Sequence, residues 1–255
     1  MKLFVLLLIN IVISFEYGLA NTKPYQFNDV GVNVTLNSTL TDNFILTDEF
    51  NKEINLKDII QDKPTIINFV YLNCPLLCHL MLDGLANVIE ESKYNIGKDY
   101  QIVTISIDPK ETNKNLRAYK KKYLEQLNIN NGWQFLKGNQ IEIEKITNFF
   151  GYGYKYIKRT NDYAHPSVIF FYNKKLTNYI EGVTYNKTSF DYSLMTLKEN
   201  KTIKEKIVTY CYYFDPETQT YSLLIFKILR LLCLLTVAIL FIMIVYFIYR
   251  ERKIK

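Results

Sequence analysis

The stretch TIINFVY, residues 65–71, constrains this chain more than any other. It is β-branched or aromatic and apolar nearly throughout. A strand with one wet face alternates apolar and polar side chains; an unbroken apolar run fits a central strand covered on both faces. A second run of this kind, YQIVTISI at 100–107, stops at Asp108-Pro109. Residues 75–93, between the two, place Leu77, Leu80, Met81, Leu85 and Val88 at helical spacing on one face. ETNKNLRAYKKKYLEQL then predicts a helix, with Leu116, Tyr119, Tyr123 and Leu124 at the same spacing. GWQFL reads as a short strand, and QIEIEKITNFF as a helix ending at Gly151. SVIFFY (167–172) and LTNYI (176–180) straddle NKK as a hairpin, and SFDYSLMTLKEN closes with a helix. Residues 21–60 are polar, with short alternating runs (NVTL, FILTD) that suggest a meander or hairpin.

Strand, helix, strand, helix, then hairpin and helix is an α/β pattern with a mixed sheet and flanking helices. It is the order of a thioredoxin-like domain. The chain has 255 residues and is 49% hydrophobic and 22% charged, which suits one core of ordinary size with additional terminal segments. MKLFVLLLINIVISFEYGLA reads as a secretory signal peptide over residues 1–20. Leu231 to Tyr249 is free of charge. At about 1.5 Å per helical residue it spans about one hydrocarbon core. RERKIK follows, so the positive-inside bias puts the C-terminus in the cytoplasm and the bulk of the chain on the exported side. Without Lys2, Arg250, Arg252, Lys253, Lys255, Glu16 and Glu251, the formal charge of +6 falls to 26 basic against 23 acidic residues. That is no nucleic-acid footprint, and no basic stripe carries interleaved aromatics.

The chemistry lies in NCPLLCHLMLDGL, residues 73–85. Cys74 falls at the junction of a strand with a helix, where the macrodipole and unpaired N–H groups favour thiolate. Pro75 suits the first helical position. Cys78, four residues on, faces the same side. The spacing is one residue longer than the usual exchange motif; it can close a disulfide or hold a soft ion. Two thiolates with an imidazole favour Cu(I) and also suit zinc. His165, in the loop before SVIFFY, faces the cysteine-bearing helix end on a thioredoxin-like sheet, and His165-Pro166 places an imidazole near the thiols. His79 points away and reads as a surface or packing residue. Asp108 ends a strand on the same rim, either tuning the site or capping the turn before Pro109. Cys211, between tyrosines, reads as packing or as a redox or copper-handling thiol; Cys233, within the apolar span, reads as inert. Trp133 reads as core or rim, and Lys120 to Lys122 as a solvated helix face.

FVYLNCPLLCHLMLDGL, VTISIDPKETNKNLRAYKKKYL, NGWQFLKGN and DYAHPSVIFFY together resemble the Sco (SenC-type) family over residues 27–200. The resemblance implies a membrane-tethered, thioredoxin-like copper protein that helps assemble the copper site of cytochrome c oxidase. It continues through YCYYFDPETQTYSLLIFKILRLL, as in a bacterial subgroup with a C-terminal anchor. It implies copper, as Cu(I) or Cu(II), on Cys74, Cys78 and His165. The partner would be the copper-bearing oxidase subunit or another copper chaperone, met at the bacterial inner membrane on its periplasmic side. Ala164 stands where many relatives carry an acidic residue, and Tyr213 where the subgroup often has a histidine. The organisation expected is a signal peptide (1–20), a thioredoxin-like domain (27–205), a juxtamembrane segment (206–226), a transmembrane helix (227–249) and a cytoplasmic tail (250–255). The competing function is a metal-independent thiol–disulfide oxidoreductase with Cys74 and Cys78 as its redox pair. A tethered interaction module or a thiol peroxidase is a third.

Overall fold

The computed structural model describes residues 30–61, 63–73, 77–199, 201–203, 205–206, 212–215, 220–223 and 225–254; at 77–78, 212–215, 220–223, 225–231, 247–248 and 251–254 it describes the backbone alone. The segment read as a signal peptide, Cys74 and Cys211 lie outside the described residues.

A short strand β1 (Gly31–Val32) leads into a hairpin of β2 (Ile45–Thr47) and β3 (Glu53–Asn55), then helix α1 (Leu56–Gln61). The core elements follow in alternation: β4 (Thr65–Val70), α2 (Leu77–Glu91), β5 (Gln101–Ser106), α3 (Asn113–Gln126), β6 (Trp133–Leu136) and α4 (Gln140–Phe149). β7 (Tyr152–Gly153) pairs with β1, and β8 (Lys155–Ile157) with β9 (Asp162–Ala164). β10 (Val168–Asn173) and β11 (Lys175–Glu181) form the expected hairpin, and α5 (Lys187–Leu197) follows. A last hairpin, β12 (Tyr212–Asp215) with β13 (Thr220–Leu223), precedes the 30-residue helix α6 (Ile225–Ile254).

The central sheet runs β11–β10–β4–β5–β6. β4, β5 and β6 are parallel, while β10 and β11 are antiparallel to their neighbours. This is the mixed, thioredoxin-like sheet that the alternation predicts. β4 sits in the middle and is buried at every position, which explains why TIINFVY has no polar face.

One face of the sheet carries α2, α3 and α5, tied by Tyr123 Oη to Asp83 at 2.8 Å and Ser92 Oγ to Asp191 at 2.6 Å. A buried polar chain sets strand register on this face. Trp133 Nε1 donates to Thr104 Oγ1 at 2.8 Å, and Thr104 Oγ1 donates to Asn68 Oδ1 at 2.7 Å. A one-residue slip would separate these groups and strand them without partners in the core. On the other face, Phe69 packs against Phe150, Tyr152 and Phe170.

Two expectations need correction. Leu80 is 46% exposed; α2 instead buries Met81, Leu82, Leu85, Ala86, Val88 and Ile89. The sheet and two neighbouring helices cover a wider, rotated stripe than a single seam. Lys120 to Lys122 is also not a merely solvated face: Lys120 pairs with the buried Glu49 at 2.6 Å and Lys122 with Asp83 at 2.8 Å. Trp133, by contrast, is fully in the core at 1% exposure.

On α6, the side chains from Leu232 to Tyr246 are exposed, and Cys233 is a free, exposed thiol. Taken on the described residues alone, no helix is long and apolar enough to cross a membrane.

Gly84 marks the closest approach of α2 to the loop after β11: a Cβ there would lie 1.9 Å from the Val183 carbonyl oxygen. Replacing a helical glycine by alanine ordinarily gains up to about 1 kcal/mol. Here the backbone must move, so Gly84→Ala should lower the unfolding free energy by about 1–3 kcal/mol, measured by urea denaturation.

Candidate functional site

The site is built where β4 and β5 end and β10 begins. The antiparallel ladder pairs Ile169 with Asn68. His165 is tied to the same end of the sheet through Tyr152, whose hydroxyl lies 3.1 Å from the imidazole Nδ1 and whose ring packs on Phe69 of β4 with centroids 4.8 Å apart. The parallel ladder pairs Ser106 with Val70, and the Ile107 N–H donates to the Val70 carbonyl at 2.8 Å. Asp108, the next residue, lines one cleft with Tyr71. The ring of Tyr71 meets that of Tyr163 at 5.1 Å, bringing β9 to the same loop. Cys74 follows Leu72 by two residues. The backbone of Cys78 is the second residue of α2; its side chain lies outside the described residues. The structure thus brings His165 and Asp108 to the end of β4, the strand that leads toward Cys74. Among the described residues no three His, Cys, Asp or Glu side chains group as a metal site.

His165 is half-buried, with Nδ1 at 3.1 Å from Tyr152 Oη and 3.1 Å from the Pro166 carbonyl oxygen. Burial holds its pKa below the ordinary 6.5, against the opposing pull of the Pro166 hydrogen bond and the Asp162 charge. The imidazole is therefore neutral at neutral pH, the form that binds metals.

Asp108 is buried, and its Oδ1 accepts from the Lys110 N–H at 3.0 Å. It caps the turn, one of its two expected roles. The residues after it hold the cysteine loop. The buried Glu111 accepts from Ser106 Oγ at 3.1 Å, from the Thr112 N–H at 2.9 Å and from Asn115 Nδ2 at 2.9 Å. Asn115 Nδ2 also donates to Asn73 Oδ1 at 3.0 Å. Tyr119 Oη donates to the Leu72 carbonyl at 2.9 Å and stacks on His79, with ring centroids 5.4 Å apart. His79 thus packs between α2 and α3, as expected of it.

Glu111, Asn115, Tyr119 and Tyr152 are the residues that sequence reasoning missed as parts of this rim. DPKET carried a signal for Glu111; nothing distinguished Tyr152 among 21 tyrosines. A cleft of about 790 Å³ opens beside the rim, lined by Tyr71, Asp108, Tyr152, Tyr154, Lys155 and Tyr163 among others.

A five-stranded mixed sheet with helices on both faces defines a thioredoxin-like domain. The family profile described as SCO1/SenC matches residues 33–200, and the chain belongs to that family. No curated protein matches it. Among solved structures, one from Aquifex aeolicus VF5, assigned to electron transfer, is 25% identical; the match covers 67% of this chain and 98% of that one, with a TM-score of 0.59. ScoI of Arabidopsis thaliana, solved with copper bound, is 22% identical over 59% of this chain and 92% of its own, with a TM-score of 0.50. BsSco, described by a disulfide switch and as a member of the Sco family of cytochrome c oxidase assembly proteins, is 18% identical. That match covers 66% of this chain and 99% of BsSco, with a TM-score of 0.52. These last two likenesses establish the fold.

The Asn115 clamp predicts a local effect. Asn115→Ala should raise amide hydrogen exchange at Leu72 and Asn73 while lowering global stability by no more than about 1 kcal/mol. Unchanged exchange at both residues would show that the clamp does not hold the loop.

Proposed function

We propose that this chain is a membrane-anchored copper-binding assembly factor. It takes one copper ion as cargo on Cys74, Cys78 and His165 and passes it to the copper site of cytochrome c oxidase, or prepares the thiols of that site. The observation that carries the reading is the tie of His165 to the end of β4, the strand that leads to Cys74, through Tyr152, which contacts the imidazole Nδ1 at 3.1 Å and packs on Phe69. Two soft sulfurs and one neutral imidazole suit Cu(I), and a rim site leaves room for a partner's ligand to enter during exchange. The family membership and the copper-bound ScoI support the same cargo. Asp108, just past the end of β5, would shape the site from outside the ligand set.

The full chain in detergent, reduced and loaded with Cu(I), should retain about one copper per chain after desalting. Replacing either cysteine should abolish retention. His165→Ala should weaken binding by at least about tenfold, and His79→Ala much less. Loss of all copper from the wild type would defeat the proposal. Reduction of a partner's disulfide that needs both cysteines, ignores His165 and occurs without copper would favour the oxidoreductase.

We further propose that α6 is the anchor, with the domain on the exported side after an N-terminal export signal. Leu234, Leu235, Ile239, Phe241, Ile242 and Ile244 are each more than half exposed on α6, so the helix is apolar all round. Thr236 Oγ1 donates to its own helix at the Cys233 carbonyl, 2.8 Å away, which satisfies the hydroxyl without water. Arg250, Arg252, Lys253 and Lys255 would hold the C-terminus inside. The protein should stay in the membrane pellet through an alkaline carbonate wash, and removal of residues 225–255 should release the domain. Release of the intact chain by the wash would rule out a spanning anchor.

A further inference from the structure

Tyr152 opens β7 and is 2% exposed. Its ring packs on Phe69 with centroids 4.8 Å apart, and its backbone is held by pairing with Val32. A phenylalanine would serve that packing equally well, and a buried hydroxyl costs free energy unless it is hydrogen-bonded. The hydroxyl points into the His165 loop. Tyr152 Oη–H donates to the Pro166 carbonyl at 2.9 Å. His165 Nδ1 is 3.1 Å from that phenol oxygen and 3.1 Å from that carbonyl oxygen.

One proton arrangement serves all three of these contacts. A carbonyl only accepts, and the single phenol proton already points at it. Two oxygens therefore present lone pairs to Nδ1, which must carry the imidazole proton. In a neutral ring the lone pair then resides on Nε2. Which histidine nitrogen meets a metal is set by the hydrogen bond that the other one makes.

We propose that Tyr152 is a positioning residue for the copper-binding histidine: its hydroxyl, together with the Pro166 carbonyl, fixes the His165 imidazole as the Nδ1–H tautomer and makes Nε2 the ligating nitrogen. The inference rests on the reading of His165 as a copper ligand. Tyr152 is distant in sequence from both cysteines and touches no cargo itself. It acts by removing the rotational and tautomeric freedom that the ring would otherwise lose on binding.

The test uses the full chain in detergent with 15N-labelled histidine, at a pH above the imidazole titration. In the copper-free wild type, long-range proton–nitrogen spectra should show Nδ1 protonated and Nε2 bare at His165. Tyr152→Phe, which keeps the ring, should give a mixture of tautomers. By chelator competition it should weaken Cu(I) binding about tenfold, and it should cost nothing further in a His165→Ala background. A wild-type ring protonated at Nε2 overturns the proposal, and this result needs no variant. A Tyr152→Phe protein with the wild-type tautomer, or with wild-type copper affinity, overturns it as well. If the wild type holds no copper, the metal reading falls, while the copper-free spectra still decide whether Tyr152 sets the tautomer.

Discussion

The pairing of β10 with β4 is the constraint on which the rest of this structure depends. β4 is buried on both faces and gains most of its stability from being covered. It therefore needs a neighbour on each edge, β5 on one and β10 on the other. Because β10 runs antiparallel, its start lies toward the end of β4, with Ile169 opposite Asn68. A segment some ninety residues downstream of Cys74 in the sequence is thereby delivered to the end of β4. The site's geometry follows from sheet topology, and local chain stiffness contributes little.

The two flanks are secured by different means. On the β5 side, the carboxylate of Glu111 collects three donors, and Asn115 passes the tie on to Asn73. These are side-chain hydrogen bonds at a helix start, each worth about 1 kcal/mol net. On the β10 side, the His165 loop is fixed by the hydroxyl of Tyr152, whose ring lies within an aromatic cluster with Phe69 and Phe170. Displacing that ring would disturb the core itself. The imidazole's surroundings are thus part of the hydrophobic interior, while the loop before the thiols is held by polar ties near the surface.

The sequence revealed long, strongly patterned elements and missed short ones. β4, β5, α3 and α4 fall within two residues of where their apolar patterns place them. α1, β7 and the β8–β9 hairpin carry too few residues to show a period, and they form because the sheet edge gives them something to cover or pair with. The solvent-facing side of α2 was misplaced at Leu80 because the stripe facing a sheet plus two helices is wider than a heptad seam. At the site, Cys74, Cys78 and His165 stood out by chemistry and rarity, with only two histidines in the chain. Tyr152 could not stand out, since its role depends on one hydroxyl reaching one carbonyl across two loops. That information exists only after folding.

A carrier must bind its cargo well enough to keep it and loosely enough to release it. A preorganised ligand lowers the entropy cost of binding without adding a bond that must be broken on transfer. The arrangement here separates those demands. In the proposed carrier, His165 would be presented by a rigid framework, so its contribution would be largely set before the metal arrives. The end of β4, which leads toward Cys74, borders at Tyr71 a cleft lined by tyrosines and a few charges. Aromatic surfaces with polar tips suit contact with a protein partner at low entropic cost. A partner docked there would approach from the side of Tyr71 and Tyr163. Ligand exchange would then begin at the sulfurs, with the imidazole serving as the fixed point from which the ion is handed on.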